Sequence, residues 1–122
     1  MKAKYIAALF ALLAAIASAE PSCQAPQHDS PLLERAERLV QQLPELQAWS
    51  KSHSFPVAYI GSFKPLVRSG KCFVAVSVYA NRPERYESWN HFYVNVESEE
   101  VLVQQPSGEV VTLGEWRSNA KQ

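Results

Sequence analysis

From residue 30 to residue 50 the apolar positions recur every three or four residues. Leu32, Ala36, Leu39, Leu43 and Leu46 form one stripe, and Trp49 completes it. Glu34, Arg35, Glu37, Arg38, Gln41 and Gln42 cover the other side. That spacing predicts an amphipathic helix with one face on a core. Ser30 supplies a cap and Pro31 a first residue whose missing N–H costs nothing. Pro44 interrupts the run, because it lacks an N–H and disfavours helical geometry at Leu43. The helix therefore either kinks there or gives way to a second short helix from Pro44 to about residue 50.

Beyond residue 53 the period falls to two. Residues 57–63 are rich in β-branched and aromatic side chains, and residues 64–71 read as a loop closed by Gly70. Residues 72–79 form the most regular strand: Phe73, Ala75, Ser77 and Tyr79 face one way, and Cys72, Val74, Val76 and Val78 the other. A polar loop over 81–88 leads to a strand at 89–96, and an acidic turn at 97–100 leads to another at 101–105. Pro106-Ser107-Gly108 turns the chain into a short strand at 109–111. Thr112 and Glu115 then have the spacing of a capping box, which predicts a terminal helical turn that docks Leu113 and Trp116. The succession predicts an α+β domain, with an N-terminal amphipathic helix, kinked or broken at Pro44, packed on an antiparallel sheet of four or five strands.

Residues 1–19 stand apart from this pattern. Lys2 and Lys4 precede an apolar run over 5–17, and Ala17-Ser18-Ala19 is a small-x-small cleavage pattern. The segment reads as a secretory signal. An apolar helix of about thirteen residues spans roughly 20 Å, short of a hydrocarbon core of about 30 Å, so no stable membrane anchor is expected. Removing it leaves a single domain over 20–122 in the periplasm or outside the cell. The whole chain holds twelve basic and twelve acidic residues, and loss of Lys2 and Lys4 turns the remainder mildly acidic. Such a balance gives little attraction to nucleic acid or to an anionic lipid surface.

Export changes the reading of the two cysteines. In an oxidising compartment Cys23 and Cys72 are expected to pair. The bridge closes a loop of about fifty residues and contributes about 4 kcal/mol in the chain-entropy treatment. A redox pair, or a nucleophilic Cys72 with His91 as its base, is the alternative. No cofactor or metal site is expected. His28, His53 and His91 lack ligand spacing, and the four glycines are scattered singly.

The strand over 89–96 carries the candidate binding residues. Phe92, Val94 and Val96 suit the core, which directs Trp89, His91, Tyr93 and Asn95 to the opposite face. Tyr79 and Phe73 of the neighbouring strand join them there. A cluster of amphipathic rings on a sheet surface suits a docking partner. Arg82 and Arg85, with Tyr86, extend it from the adjoining loop. The competing reading is ordinary packing, with the faces reversed or the sheet curled so that both are buried.

From Trp89 to Arg117 the order Trp-Asn-His-Phe-Tyr-Val-Asn-Val, acidic turn, Val-Leu-Val, Pro-Ser-Gly and Leu-Gly-Glu-Trp-Arg resembles the closing hairpins of small exported bacterial α+β proteins. Two such groups are the PepSY-like domains and the NTF2-like immunity proteins. Ser98-Glu99 stands where those groups carry a glycine. The resemblance implies a non-enzymatic binder, inhibitor or immunity protein and brings no catalytic residue. The expected function is occlusion of a protein partner, such as a toxin or a cell-wall hydrolase. The alternative is a module that binds a small molecule or an envelope component on the concave side of its sheet.

Overall fold

The computed structural model describes residues 23–61 and 64–120, so the predicted export signal lies outside the described residues. Ser30 opens the first helix, α1 (Pro31–Gln41), by accepting the Leu33 N–H on its hydroxyl at 3.2 Å. At Pro44 the helix breaks rather than kinks. Leu43 is extended, with φ −66° and ψ 127°, and α2 (Pro44–Lys51) follows directly.

The buried stripe keeps Ala36, Leu43 and Leu46 of the expected one and differs at two positions, where Leu33 and Val40 replace Leu32 and Leu39. Leu33, Ala36, Val40, Leu43 and Leu46 are buried, whereas Leu32 is 42% exposed. Both sets satisfy a spacing of three and four, so periodicity does not choose between them. Gly61 favours the observed set: a Cβ there would lie 2.3 Å from Leu33 Cδ1. The missing side chain makes room for Leu33. Gly61→Ala is therefore expected to cost about 1–3 kcal/mol by overpacking. An unchanged urea midpoint would show instead that Leu33 has space to retreat.

Six antiparallel strands follow: β1 (Val57–Ile60), β2 (Leu66–Arg68), β3 (Lys71–Asn81), β4 (Tyr86–Asn95), β5 (Glu100–Gln104) and β6 (Val110–Thr112). The sheet runs β1-β3-β4-β5-β6, with β2 lying beyond β1 along the same edge of β3. β2 occupies part of the expected loop over 64–71. Ser69 and Gly70, at φ 54° and 72°, form the two-residue connection that turns it back into β3. The Cys23–Cys72 disulfide, with Cα atoms 5.5 Å apart, joins the N-terminal segment to the start of β3. It suits an oxidising, extracytoplasmic environment.

The core lies between the helices and one face of the sheet, where Val74, Val76, Val78, Phe92, Val94 and Val103 meet the α1–α2 stripe. The expected terminal turn is a full helix, α3 (Leu113–Ala120). Thr112 Oγ1 accepts the Glu115 N–H at 3.1 Å and donates to Glu115 Oε1 at 3.1 Å, while Leu113 and Trp116 pack on the core. Arg117 clamps α3 to α2 by donating through Nε and Nη2 to the two Glu45 carboxylate oxygens, at 2.7 and 3.1 Å.

Those hydrogen bonds from Arg117 hold the Glu45 carboxyl below its ordinary value of 4.5. A depressed carboxyl contributes stability above the unfolded-state pKa and loses it as pH falls through the folded one. The exposed pair is expected to contribute under about 1 kcal/mol. The difference between the protein and its Arg117→Gln variant should therefore be present at pH 7 and be lost as pH falls through the lowered folded-state pKa of Glu45. A difference that persists in acid would assign the effect to packing of the arginine stem.

Candidate partner-binding surface

Along most of β3 and β4 the cross-strand pairs keep their faces: Ala75 opposes Tyr93, Ser77 opposes His91 and Val78 opposes Asn90. The register then slips, because Tyr79 opposes Ser88. Trp89 is the extra residue of a bulge, which re-aims its side chain. It leaves the face of Tyr93 and His91 and turns towards the helices. There it stacks on Trp49 at 4.9 Å and 13° and meets Trp116 edge-on at 6.2 Å. The expected placement of Trp89 beside His91 and Tyr93 is corrected by this one-residue slip.

The face opposite the helices is itself enclosed. Phe73 and Leu102 are each 1% exposed there, and Ala75 and Ser77 are buried. A side-chain contact between β2 and β6 shows how the sheet is shaped. These strands lie on opposite margins, about 19 Å apart if four strand spacings were laid flat. Yet Arg68, which shares its face with Lys71 and Phe73, donates from Nη1 to Val110 O at 3.2 Å. The sheet is rolled, with this face on the concave side. It remains open, because no backbone pairing joins β2 to β6. Twist and coiling of this kind let side chains of one face fill the interior of a small barrel.

Inside the roll, His91 Nδ1 and Ser77 Oγ share a hydrogen bond of 2.7 Å, which fixes the imidazole plane. The Tyr79 ring meets His91 edge-on at 6.0 Å and Tyr86 at the same distance on its other side. Tyr93 lies between Ala75 and Leu102 and is half-buried. Cys72 is committed to the disulfide, so the alternative of a Cys72 nucleophile with His91 as base is not formed.

At one end of the roll the β3–β4 connection is held tightly. Arg82 N–H donates to Ala80 O and to Arg85 O, at 3.2 and 3.0 Å. The Arg82 guanidinium sits 4.6 Å above the Phe55 ring and is bonded to Glu87. Phe55, Arg82, Pro83, Glu84 and Arg85 line a recess of about 390 Å³. Tyr86 projects beside it, 56% exposed. Tyr79, Arg82 and Arg85 are therefore brought to one tip, whereas His91 and Tyr93 lie within the roll and Trp89 under the helices.

The sequence reading did not reach Phe55, which precedes Pro56 in a short connection and gives no periodic signal. Nor did it reach the contact between Trp49 and Trp89, which depends on the bulge. His53 shares this neighbourhood, edge-on to Trp49 at 4.5 Å, with both ring nitrogens buried and without a hydrogen-bond partner. The chain matches no family model, no curated protein and no solved structure.

Proposed function

We propose that the chain is an exported periplasmic protein that binds and occludes a protein partner, as an inhibitor or immunity protein acting on a toxin or a cell-wall hydrolase. The observation that carries this reading is the β3–β4 tip. It presents the Tyr86 ring, 56% exposed, backed edge-on by Tyr79 and flanked by a loop pinned at both ends of the Arg82–Arg85 turn. Tyrosine and arginine are frequent hot-spot anchors, and an anchor already held in place loses little freedom on binding. The export signal read at residues 1–19 and the disulfide support the compartment. The likeness of 89–117 to the closing hairpins of small exported binders supports the class.

Affinity capture from periplasmic and secreted fractions, followed by titration of the captured protein, tests the reading. Tyr86→Ala and Arg85→Ala are each expected to weaken the complex by about 2 kcal/mol. Their melting temperatures should stay close to that of the parent, since both side chains are exposed. Undiminished affinity in both variants sinks the assignment of the tip. A second reading, a module for a small molecule or an envelope component, draws on the rolled face and its Ser77–His91 pair. It predicts a ligand-dependent rise in melting temperature with no protein captured.

A further inference from the structure

At the end of β3 remote from Tyr86, a cavity of about 380 Å³ lies between the start of α1, the start of β3 and the β4–β5 turn. Leu32, Val74 and Val96 give it an apolar floor. Leu32 is the helix position that the expected stripe assigns to the core and that the fold leaves 42% exposed. Two charges stand at the rim. Lys71 is paired with Glu100 at 3.4 Å, whereas the Glu97 carboxylate has no ion pair among the described residues. An apolar floor beside one unpaired carboxylate suits an ammonium group attached to an apolar body.

The chain itself delivers such a group to this place. Gln24 and Cys72 form part of the cavity wall, and Cys23 is bonded to Cys72 with Cα atoms 5.5 Å apart. Cleavage after Ala19 starts the exported chain at Glu20, followed by Pro21, Ser22 and Cys23. Residues 20–22 lie outside the described residues, but chain geometry limits their reach: three residues extend at most about 11 Å. The new α-ammonium is thereby held in the neighbourhood of the cavity mouth.

We infer that this cavity receives the chain's own amino terminus once the signal is removed, with the Glu20 ammonium paired to Glu97 and the Pro21 ring on Leu32. The inference rests on the export reading of residues 1–19. The disulfide tether selects this occupant, because a short tether gives an effective concentration in the millimolar range that a dissolved amine would have to match. Pro21 has its φ already fixed, so the segment loses little freedom on docking. The Glu20 side chain stays at the mouth, where water solvates its carboxylate. Before cleavage the same nitrogen is an uncharged amide joined to Ala19, so docking follows removal of the signal. Export thus completes this end of the fold and closes a cavity that a small envelope ligand would otherwise enter.

NMR on the exported chain, with its disulfide intact, tests this. Mass spectrometry first fixes the start of the chain. A start other than Glu20 overturns the inference together with the export reading, whereas the results below bear on the docking alone. Contacts from the Pro21 protons to the Leu32 methyl groups are expected. The α-amino group should titrate above its ordinary range of about 7.7–8.0, because the Glu97 carboxylate favours the charged form. Glu97→Gln should return that titration to the ordinary range and leave the fold intact, since the side chain is exposed. Acetylating the terminus removes its charge and should lower the melting temperature of the parent, but not that of Glu97→Gln. An α-amino group that titrates in its ordinary range overturns the docking. So does a raised titration that Glu97→Gln leaves unchanged, and so does the lack of contact between Pro21 and Leu32.

Discussion

Replacing both cysteines, Cys23→Ala with Cys72→Ala, is expected to lower the unfolding free energy by about 4 kcal/mol. The bridge closes 49 positions of chain, and the open loop regains that entropy when it is cut. A domain of this size holds about 5–15 kcal/mol in all, so the variant should sit near the limit of folding. The backbone contacts at this position do not depend on the sulfur and are kept by the variant. Cys72 O accepts the Asn95 side-chain N–H at 3.0 Å, and Asn95 Oδ1 in turn holds the Ser98 N–H at 2.8 Å. Cys72 thus anchors the β4–β5 turn as well as the N-terminal segment. Urea unfolding of the double variant and of the reduced parent measures the effect. A loss below about 1 kcal/mol would mean that the unbridged chain keeps its ends close by other contacts.

Trp89→Ala is expected to cost about 2–3 kcal/mol of stability, at or just below the low end of buried aromatic truncations, because the ring is only partly buried. The indole stacks on Trp49 and also touches Phe92 and Trp116, so its removal opens the seam where α2, α3 and β4 meet. Thermal and urea unfolding provide the measurement. Tyr86→Ala serves as the contrast, because an exposed ring can be lost with little change in stability. If Trp89→Ala unfolds like the parent, the stack contributes little and the side chain becomes available again as a surface residue.

That contrast shows how far the sequence reading reached. Helix starts at Ser30 and Thr112, an interruption at Pro44 and the alternation in β3 are local properties, and each was legible from a few neighbouring residues; whether Pro44 kinks the helix or ends it was not. The choice of Leu33 over Leu32 was not, because it depends on Gly61, a residue distant in sequence. The fate of Trp89 depended on a bulge, and a bulge leaves no mark on an alternating pattern until the partner strand is known. β2 was hidden by its shortness, although Ser69-Gly70 between Leu-Val-Arg and Lys-Cys-Phe is a recognisable hairpin connection. For the candidate surface, Tyr79, Arg82, Arg85 and Tyr86 were grouped from the sequence. The part of Phe55, and the separation of this tip from Trp89, His91 and Tyr93, required the fold.

The bond from Arg68 to Val110 has a mechanical consequence. It joins two margins that share no backbone ladder among the described residues. The bond is exposed to solvent, so it contributes about 1 kcal/mol or less. The rolled shape therefore rests on the twist of the strands themselves, with Arg68 as a bridge across the rim. Losing that side chain would remove the bridge without removing a ladder bond.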